Sequence, residues 1–211
     1  MSTDAGQLLN VFSLEEIQLI NNMVCKIKDH PGLIYSDTQL IARTNGFQQK
    51  SLVYKFVEKT VVSKAEKLLN RKLHLGTGML LDARIPFKIH TDYVKNDQHP
   101  DMVLLIPLNL EPLQTNTIIF NEVCCDHFDQ YRQNNNKLEH NALGLHPTLM
   151  SHETVDHLEY VSLLKICPWH PGSLIYWDRK LLHASDNFSN CSVKEKHALV
   201  LFTNFDNANL D

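Results

Sequence analysis

The sequence predicts a mainly β protein in which supporting helices pack on the outside of an antiparallel sandwich or barrel. After Leu73 the chain consists of short apolar runs separated by turn residues, which is the pattern of such a structure. Before Leu73 the apolar residues recur at helical intervals instead. The 211 residues are enough for a single domain, 1–211, so we expect one core and one active site.

Two amphipathic helices are predicted in residues 1–72, which we expect to support the outer sheet. The first begins at a capping box formed by Ser13 and Glu16. The second places an apolar face on the sheet and a charged face in water. It runs over 51–69, and its apolar face consists of Leu52, Phe56, Ala65, Leu68 and Leu69.

Seven strands are predicted in the β core, residues 73–205. The range 102–110 is apolar almost throughout, so both of its faces should be covered, one by the barrel interior and one by the N-terminal helices. The predicted strands are 73–81, 85–92, 102–110, 115–121, 158–167, 173–178 and 196–205.

Residues 123–157 interrupt the strand pattern. They are polar, show little periodicity and contain five histidines. A loop of this length in a compact domain is usually functional or disordered. We therefore expect an insertion that acts as a lid over the substrate.

Composition argues against several classes of protein. The net charge of −4 and the isoelectric point near 6.3 lack the positive excess of a dedicated nucleic-acid binder, so nucleic acid is a less favoured partner. The five cysteines are an odd set without CxxC spacing, which argues against a disulfide framework and a cysteine zinc site.

No apolar run approaches the roughly 20 residues that span a bilayer. The first ten residues lack the features of a secretion signal, so we expect a cytoplasmic protein with no membrane partner.

Three His-x-Asp pairs are candidates for two ligands of a metal ion. On a strand, residues two apart point to the same side, so such a pair can bind one ion. Chance predicts roughly one pair in a chain of this composition, so spacing alone is weak evidence. The pairs are His90/Asp92, His99/Asp101 and His127/Asp129.

Sequence context favours the first pair. His90 and Asp92 end the convincing strand 85–92 and are followed by two further predicted strands. The second pair straddles Pro100 after a polar run, which is typical of a turn. The third pair opens the insertion and has the context of a solvated loop.

A third ligand must come from a distant strand. Residues 168–188 contain a Pro-Gly turn, an aromatic strand and then His183, and an apolar strand follows. With His90-Thr91-Asp92 before them, these motifs resemble the 2-oxoglutarate and Fe(II)-dependent oxygenases of the prolyl hydroxylase and phytanoyl-CoA hydroxylase type. The segment Thr117-Ile118-Ile119-Phe120-Asn121 is similar to that family's third core strand. The resemblance covers roughly 79–122 and 165–205.

This resemblance implies a double-stranded β-helix (jelly-roll, cupin-like) and a dioxygenase reaction. It implies Fe(II), 2-oxoglutarate and O2 as cofactors, with iron held by His90, Asp92 and His183 as the catalytic centre. The substrate would be hydroxylated while 2-oxoglutarate is converted to succinate and CO2. The primary substrate, a small molecule or a protein side chain, and the oligomeric state are not readable from the sequence.

The far carboxylate of 2-oxoglutarate needs a buried cation. In the family this is often an Arg or Lys on the last strand after the distal His. The matching position here is Lys196, with Lys194 as a competitor of the same strand parity. Arg84 and Lys88 share the strand face of His90 if 85–92 alternates, so they stay open as anchors or substrate contacts.

Other functions remain open at this point. Family halogenases have a small residue where Asp92 stands, so its carboxylate favours hydroxylation. A cupin-like barrel could bind a metal through the same residues without consuming 2-oxoglutarate. In a non-catalytic interaction domain, the His/Asp set would be coincidental. Four residues flank the distal ligand as candidates for pocket lining or for core packing, namely Trp169, Tyr176, Trp177 and Arg179.

Overall fold

Two antiparallel sheets pack against each other in the computed structural model, which describes residues 4–28, 35–37, 41–44, 51–93, 101–125 and 127–205. These residues contain ten strands: β1 Ala5–Leu8, β2 Tyr35–Asp37, β3 Ile41–Thr44, β4 Leu73–Ala83, β5 Met102–Pro107, β6 Asn116–Val123, β7 Leu163–Pro168, β8 Leu174–Asp178, β9 Leu181–Ser185 and β10 Lys196–Phe205. The larger sheet has the order β1-β8-β5-β10-β4-β3-β2, and the smaller has the order β7-β6-β9. The predicted fold class, a double-stranded β-helix with outer helices, is confirmed.

Strand β10 lies between β4 and β5 in the larger sheet and sets the register there. Val200 is paired with Met79 on one side and with Leu105 on the other. Since directly paired residues point to the same face, the three side chains form a row. This row faces the smaller sheet and belongs to the wall of the central cavity.

Helix α1, Leu14–Lys28, begins at the predicted capping box. The Ser13 hydroxyl accepts from the amide of Glu16 at 3.2 Å, and the Glu16 carboxylate accepts from the amide of Ser13 at 2.8 Å.

Within the described residues, no helix is both long and apolar enough to cross a membrane.

The second predicted helix is continuous, but its middle part is π-helical instead of α-helical. It consists of α2 Leu52–Val57, a π-helical segment Glu58–Val62 and α3 Ser63–Leu69. The predicted apolar face was wrong at Leu52 and Leu68, which are 80% and 51% exposed. The residues that pack on the sheet form a stripe shared by all three parts, namely Val57, Val61, Val62 and Ala65.

The apolar core has three layers. One lies between the helices and the outer face of the larger sheet and includes Leu104 and Leu199. The second lies between the two sheets and includes Trp177. The third covers the outer face of the smaller sheet, where Phe120 packs against residues of the 123–157 segment. As predicted, the strand that begins at Met102 is covered on both faces, since all of β5 is buried.

The predicted strand 85–92 was wrong. Residues 84–93 join no regular ladder, and they meet β9 through an isolated bridge between His90 and His183 and one further bond from Ser185 N to Phe87 O. Pro86 has no amide hydrogen to donate to a ladder. The amide of Ile89 donates to a side chain, the Glu153 carboxylate, rather than to a strand.

Other boundaries differ from the predictions because short strands carry little local signal. The first 72 residues contain β1, β2 and β3 in addition to the helices. Strand β9, which carries His183, was not predicted. The predicted strand 158–167 starts at Leu163, because the chain before it forms a short helix and a turn.

The 123–157 segment contains the short helix α4 Phe128–Asn134, a 3-10 turn Leu143–Leu145 and most of the short helix α5 Val155–Leu158. Met150 and Leu158 are fully buried against the outer face of the smaller sheet. The predicted lid motion is not tested by this arrangement and stays a prediction.

Candidate metal centre and its cavity

His90, Asp92 and His183 meet at one end of the cavity between the sheets. Their ligand atoms all lie within 4.8 Å of one another, and His183 Nε2 is 3.3 Å from Asp92 Oδ2. Donors that share one ion at about 2.1 Å lie roughly 3 Å apart, so small side-chain rotations suffice to enclose a cation. The structure therefore brings the three predicted ligands together.

Backbone carbonyls orient both imidazoles. His90 Nδ1 lies 2.7 Å from Lys88 O, and His183 Nδ1 lies 3.1 Å from Leu181 O. A carbonyl oxygen only accepts, so each Nδ1 carries a hydrogen, and in the neutral form of each ring Nε2 keeps its lone pair. This is the tautomer that binds a metal through Nε2.

Charge is unevenly distributed in the group. Burial, reinforced by the neighbouring His183, lowers the pKa of His90 to about 4. Burial alone would raise the pKa of Asp92, but the facing imidazoles and the Arg179 guanidinium bring it below its usual value. Burial opposes the charged form of His183, yet the adjacent carboxylate raises its pKa overall. At neutral pH the group thus offers a carboxylate and at least one neutral imidazole, a donor set that suits a divalent ion.

The turn between β8 and β9 fixes the loop that carries Asp92. Arg179 is 7% exposed, and its Nε donates to Asp92 O at 2.5 Å. The Thr91 hydroxyl donates to Arg179 O at 3.1 Å. Arg179 is a candidate for pocket lining from its sequence position, but in the structure it holds the loop that carries Asp92.

The other two His-x-Asp pairs do not form centres in the described residues. His99 lies outside them, and Asp101 accepts from the Phe205 amide at 2.9 Å. His127 is exposed, and Asp129 pairs with Arg132 at 2.8 Å.

A second group of ligand-type residues, Asp82, Glu195 and His197, lies at the start of β10. His197 Nδ1 is 2.8 Å from Asp82 Oδ1, whereas Nε2 is 3.6 Å from Glu195 Oε2. The two carboxylates thus lie at different edges of the ring. Glu195 also pairs with Arg84 at 3.1 Å. The ligand atoms of this group also lie within 4.8 Å of one another, but they pair with each other and with Arg84, so we interpret the group as an ion-pair network.

The metal candidates line a cavity of about 260 Å³ together with Lys196. All four candidate anchors belong to the described residues, and Lys196 alone of them lines this cavity. Lys194 and Lys88 are exposed, and Arg84 belongs to the ion-pair network. Ala198, Val200 and Phe202 line it as the predicted strand parity requires.

Lys196 is a buried cation with few polar contacts. The side chain is 3% exposed, and Nζ donates to Asn116 O at 3.0 Å and lies 4.0 Å from the centre of the Trp169 ring. Burial lowers its pKa to about 7, although the nearby Asp186 carboxylate acts in the opposite direction. Such a group favours an anion that enters the cavity.

Solved structures identify the architecture. The α-ketoglutarate-dependent epimerase SnoN from nogalamycin biosynthesis aligns with a TM-score of 0.59 over 95% of this chain and 77% of that chain, at 10% identity. HygX from Streptomyces hygroscopicus, with nickel and 2-oxoglutarate bound, aligns with a TM-score of 0.57 over 98% and 84%, at 11% identity. The chain has the fold of the 2-oxoglutarate and Fe(II)-dependent oxygenases.

A third structure with this oxygenase fold has nearly the same extent as the chain. The viral collagen prolyl hydroxylase vCPH from Paramecium Bursaria Chlorella virus-1, in its 2-oxoglutarate complex, aligns with a TM-score of 0.50 over 96% of both chains, at 15% identity. No family model and no curated protein matches the sequence. Identities this low establish only the fold, and a fold alone does not determine an activity.

Two residues of the cavity region, Thr117 and Asp186, were missed by sequence reasoning, whereas Trp177 was a candidate for pocket lining. Thr117 lines the cavity. Asp186 is buried and accepts from the Thr115 hydroxyl at 2.5 Å, close to Lys196. The Trp177 indole Nε1 is buried without an acceptor among the described residues, although the ring lines the cavity. An orphaned buried donor in a cavity wall fits a site that is completed by a ligand.

Proposed function

We propose that the protein is a non-haem Fe(II) oxygenase that uses 2-oxoglutarate as cosubstrate. The observation that supports this most directly is the shared cavity, in which His90, Asp92 and His183 lie with the buried cation of Lys196. A dianion that chelates a metal at one end and needs a counter-charge at the other fits such a cavity.

In the proposed centre, His90 and His183 bind iron through Nε2 and Asp92 binds through its carboxylate. Two imidazoles and one carboxylate leave the remaining coordination positions open for other ligands. Ferrous iron with 2-oxoglutarate would supply the activation of O2, with release of succinate and CO2. The protein's own part is to hold the three donors in place, and Arg179 and the carbonyls of Lys88 and Leu181 support it in this.

Lys196 is the proposed anchor of the far carboxylate. In the free protein its ammonium has the Asn116 carbonyl as acceptor and stands over the Trp169 ring, while the Asp186 carboxylate acts on it electrostatically. A bound carboxylate would add a charge-assisted hydrogen bond and raise the pKa of the lysine again. The Thr117 side chain lines the same cavity and is a further candidate contact.

The apolar wall would keep water from the reacting centre. Leu105, Val200, Phe202 and Trp177 belong to the wall, and each is at most 8% exposed. Excluding water strengthens the electrostatic contacts inside and suppresses side reactions of reactive intermediates.

Hydroxylation of a small molecule or a protein side chain is the proposed outcome. Asp92 supplies the carboxylate that family halogenases lack. The names of SnoN, an epimerase, and SnoK, a carbocyclase, indicate that this fold also supports other outcomes. A gain of one oxygen atom in the product, measured by mass spectrometry, distinguishes hydroxylation from these.

The test is turnover of 2-oxoglutarate. With Fe(II) and O2, the purified protein should release succinate, even if slowly without its primary substrate. Under anaerobic conditions with Mn(II), it should bind 2-oxoglutarate. Metal binding without any binding or consumption of 2-oxoglutarate would favour the cupin-like alternative. Failure to bind any divalent ion would favour an interaction domain.

A further inference from the structure

The loop that carries two of the three ligand candidates has little regular pairing of its own. Residues 84–93 follow β4, and their backbone contacts to β9 are the bridge between His90 and His183 and a bond from Ser185 N to Phe87 O at 3.2 Å. Arg179 holds the end of this loop that carries Asp92, so a further contact is needed to fix the part before His90.

Glu153 supplies that contact from the 123–157 segment. Its side chain is 0% exposed, and Oε2 accepts from the amide of Ile89, the residue before His90, at 2.9 Å. Oε1 accepts from the amide of Thr154 at 2.9 Å and lies 2.8 Å from His157 Nδ1. The Glu153 carboxylate thus accepts a hydrogen bond from the Ile89 amide that a carbonyl of a neighbouring strand would accept in a regular ladder.

Residues 149–153, which we call the clasp, make two further contacts besides that of Glu153. His152 Nε2 donates to Phe87 O at 3.2 Å, two residues upstream of Ile89. At its other end, the clasp binds the loop after β9. There, Leu149 O accepts from the Asn187 amide at 2.6 Å.

The clasp therefore connects the chain just before His90 with the chain just after the strand of His183. We propose that Glu153 is a positioning residue that fixes the metal-binding geometry of His90 and Asp92. This inference rests on the proposed function, because it assumes that the three side chains bind a metal. A ligand loop that is ordered beforehand loses less conformational entropy when the metal binds, so metal affinity depends on the clasp.

The segment 123–157 thereby gains a role at the metal centre as well as over the outer face of the smaller sheet. Groups that orient metal ligands from outside the coordination sphere typically affect metal affinity by about tenfold to a hundredfold. Glu153 acts one step further out, through the backbone of Ile89.

The test compares Co(II) affinity and the Co(II) absorption spectrum in matched variants of the full chain. Glu153→Ala removes every acceptor of the carboxylate and should weaken Co(II) binding about tenfold or more. Glu153→Gln keeps one acceptor oxygen but turns an amide donor toward an N–H group, so about a threefold to tenfold loss is expected. Glu159→Gln is the control, because Glu159 is 27% exposed and pairs with Lys137 away from the cavity.

Several results would separate positioning from simple stabilisation. A stabilising role alone would lower the melting temperature and leave the Co(II) affinity and spectrum of the folded protein unchanged, and that result would overturn the proposal. If Glu153→Ala does not fold, the Gln variant decides, and a Gln variant with native affinity and spectrum contradicts the proposal. If the native protein itself does not bind Co(II), the proposed function fails rather than this inference alone.

Discussion

The backbones of His90 and His183 exchange two hydrogen bonds, from His90 N to His183 O at 3.0 Å and from His183 N to His90 O at 2.9 Å. Residues paired in this way point to the same side of the sheet. Their rings lie 4.2 Å apart between centres. A single bridge thus places two residues that are distant in sequence side by side, and the Asp92 carboxylate lies within 4.8 Å of their ligand atoms.

The first prediction concerns the metal. His183→Ala should abolish Co(II) or Mn(II) binding at micromolar concentration and 2-oxoglutarate turnover, because two protein ligands remain. The fold should survive, since the change lies at the end of a cavity. His127→Ala removes an exposed histidine of a rejected His-x-Asp pair and should behave as the native protein. Full turnover in His183→Ala, measured by succinate release, would contradict the assigned centre.

The second prediction concerns the anchor. Lys196→Ala leaves the far carboxylate of 2-oxoglutarate buried without a cation, which costs about 3–5 kcal/mol and weakens binding on the order of a hundredfold to several thousandfold. Metal affinity should be retained. Calorimetry with Mn(II) in the absence of oxygen measures the change. Lys194→Ala changes an exposed lysine and should shift the affinity by less than about threefold. A larger loss in Lys194→Ala than in Lys196→Ala would move the anchor.

Local spacing made part of the site predictable. The His-x-Asp pair at His90 and the strand parity of Lys196 are features of a few adjacent residues. The distal ligand, His183, needed the order of motifs along the chain, because nothing local marks it. The structure places all four in one cavity.

Features that depend on distant partners could not be predicted. The range 85–92 has the composition of a strand, yet it forms no regular ladder. The amide of Ile89 instead donates to the carboxylate of Glu153, which is 64 positions away along the chain. No local sequence pattern predicts that Glu153 is buried, because the Ile89 amide comes close to its carboxylate only in the folded chain. Leu52 is likewise exposed because of the way in which the helix over 51–69 lies on the sheet.

The third prediction concerns the lid. The clasp at 149–153 restricts any lid motion to the earlier part of the segment, where residues 133–137 are exposed. Hydrogen exchange should therefore be fast in 133–137 and become slower when metal, 2-oxoglutarate and substrate bind. Exchange in β10 should be slow throughout and serves as the internal reference. If 123–148 is as protected as β10 with and without ligands, the lid prediction is wrong.

The fourth prediction is a pH dependence of 2-oxoglutarate binding. The pKa of Lys196 in the free protein is lowered to about 7, so the charged form dominates below that pH and is lost above it. Binding requires the charged form, so affinity should be level below pH 7 and fall by up to about tenfold per pH unit above it. In Lys196→Arg the cation stays charged, so any slope that remains comes from other groups. Equal slopes in the two proteins, measured at saturating Mn(II), would contradict this.

The last prediction concerns the stability cost of the anchor. Burial of the Lys196 ammonium disfavours its charged form, and the neighbouring Trp169 and Phe188 rings offer an apolar environment. Replacement by Met, which is similar in length and uncharged, should raise the melting temperature of the metal-free protein, with a gain of about 0.5–2 kcal/mol in the free energy of unfolding. The gain should be largest below pH 7, where the native lysine is charged in both the folded and the unfolded state. It should shrink between pH 7 and the unfolded pKa of about 10.4, because the folded lysine is then already neutral. The control, Lys194→Met, should change the unfolding free energy by less than about 0.5 kcal/mol. Thermal unfolding at pH 6.5 and pH 9 tests both variants. If the Lys196→Met protein melts at a lower temperature than the native protein at pH 6.5, the lysine stabilises the fold and this prediction is wrong.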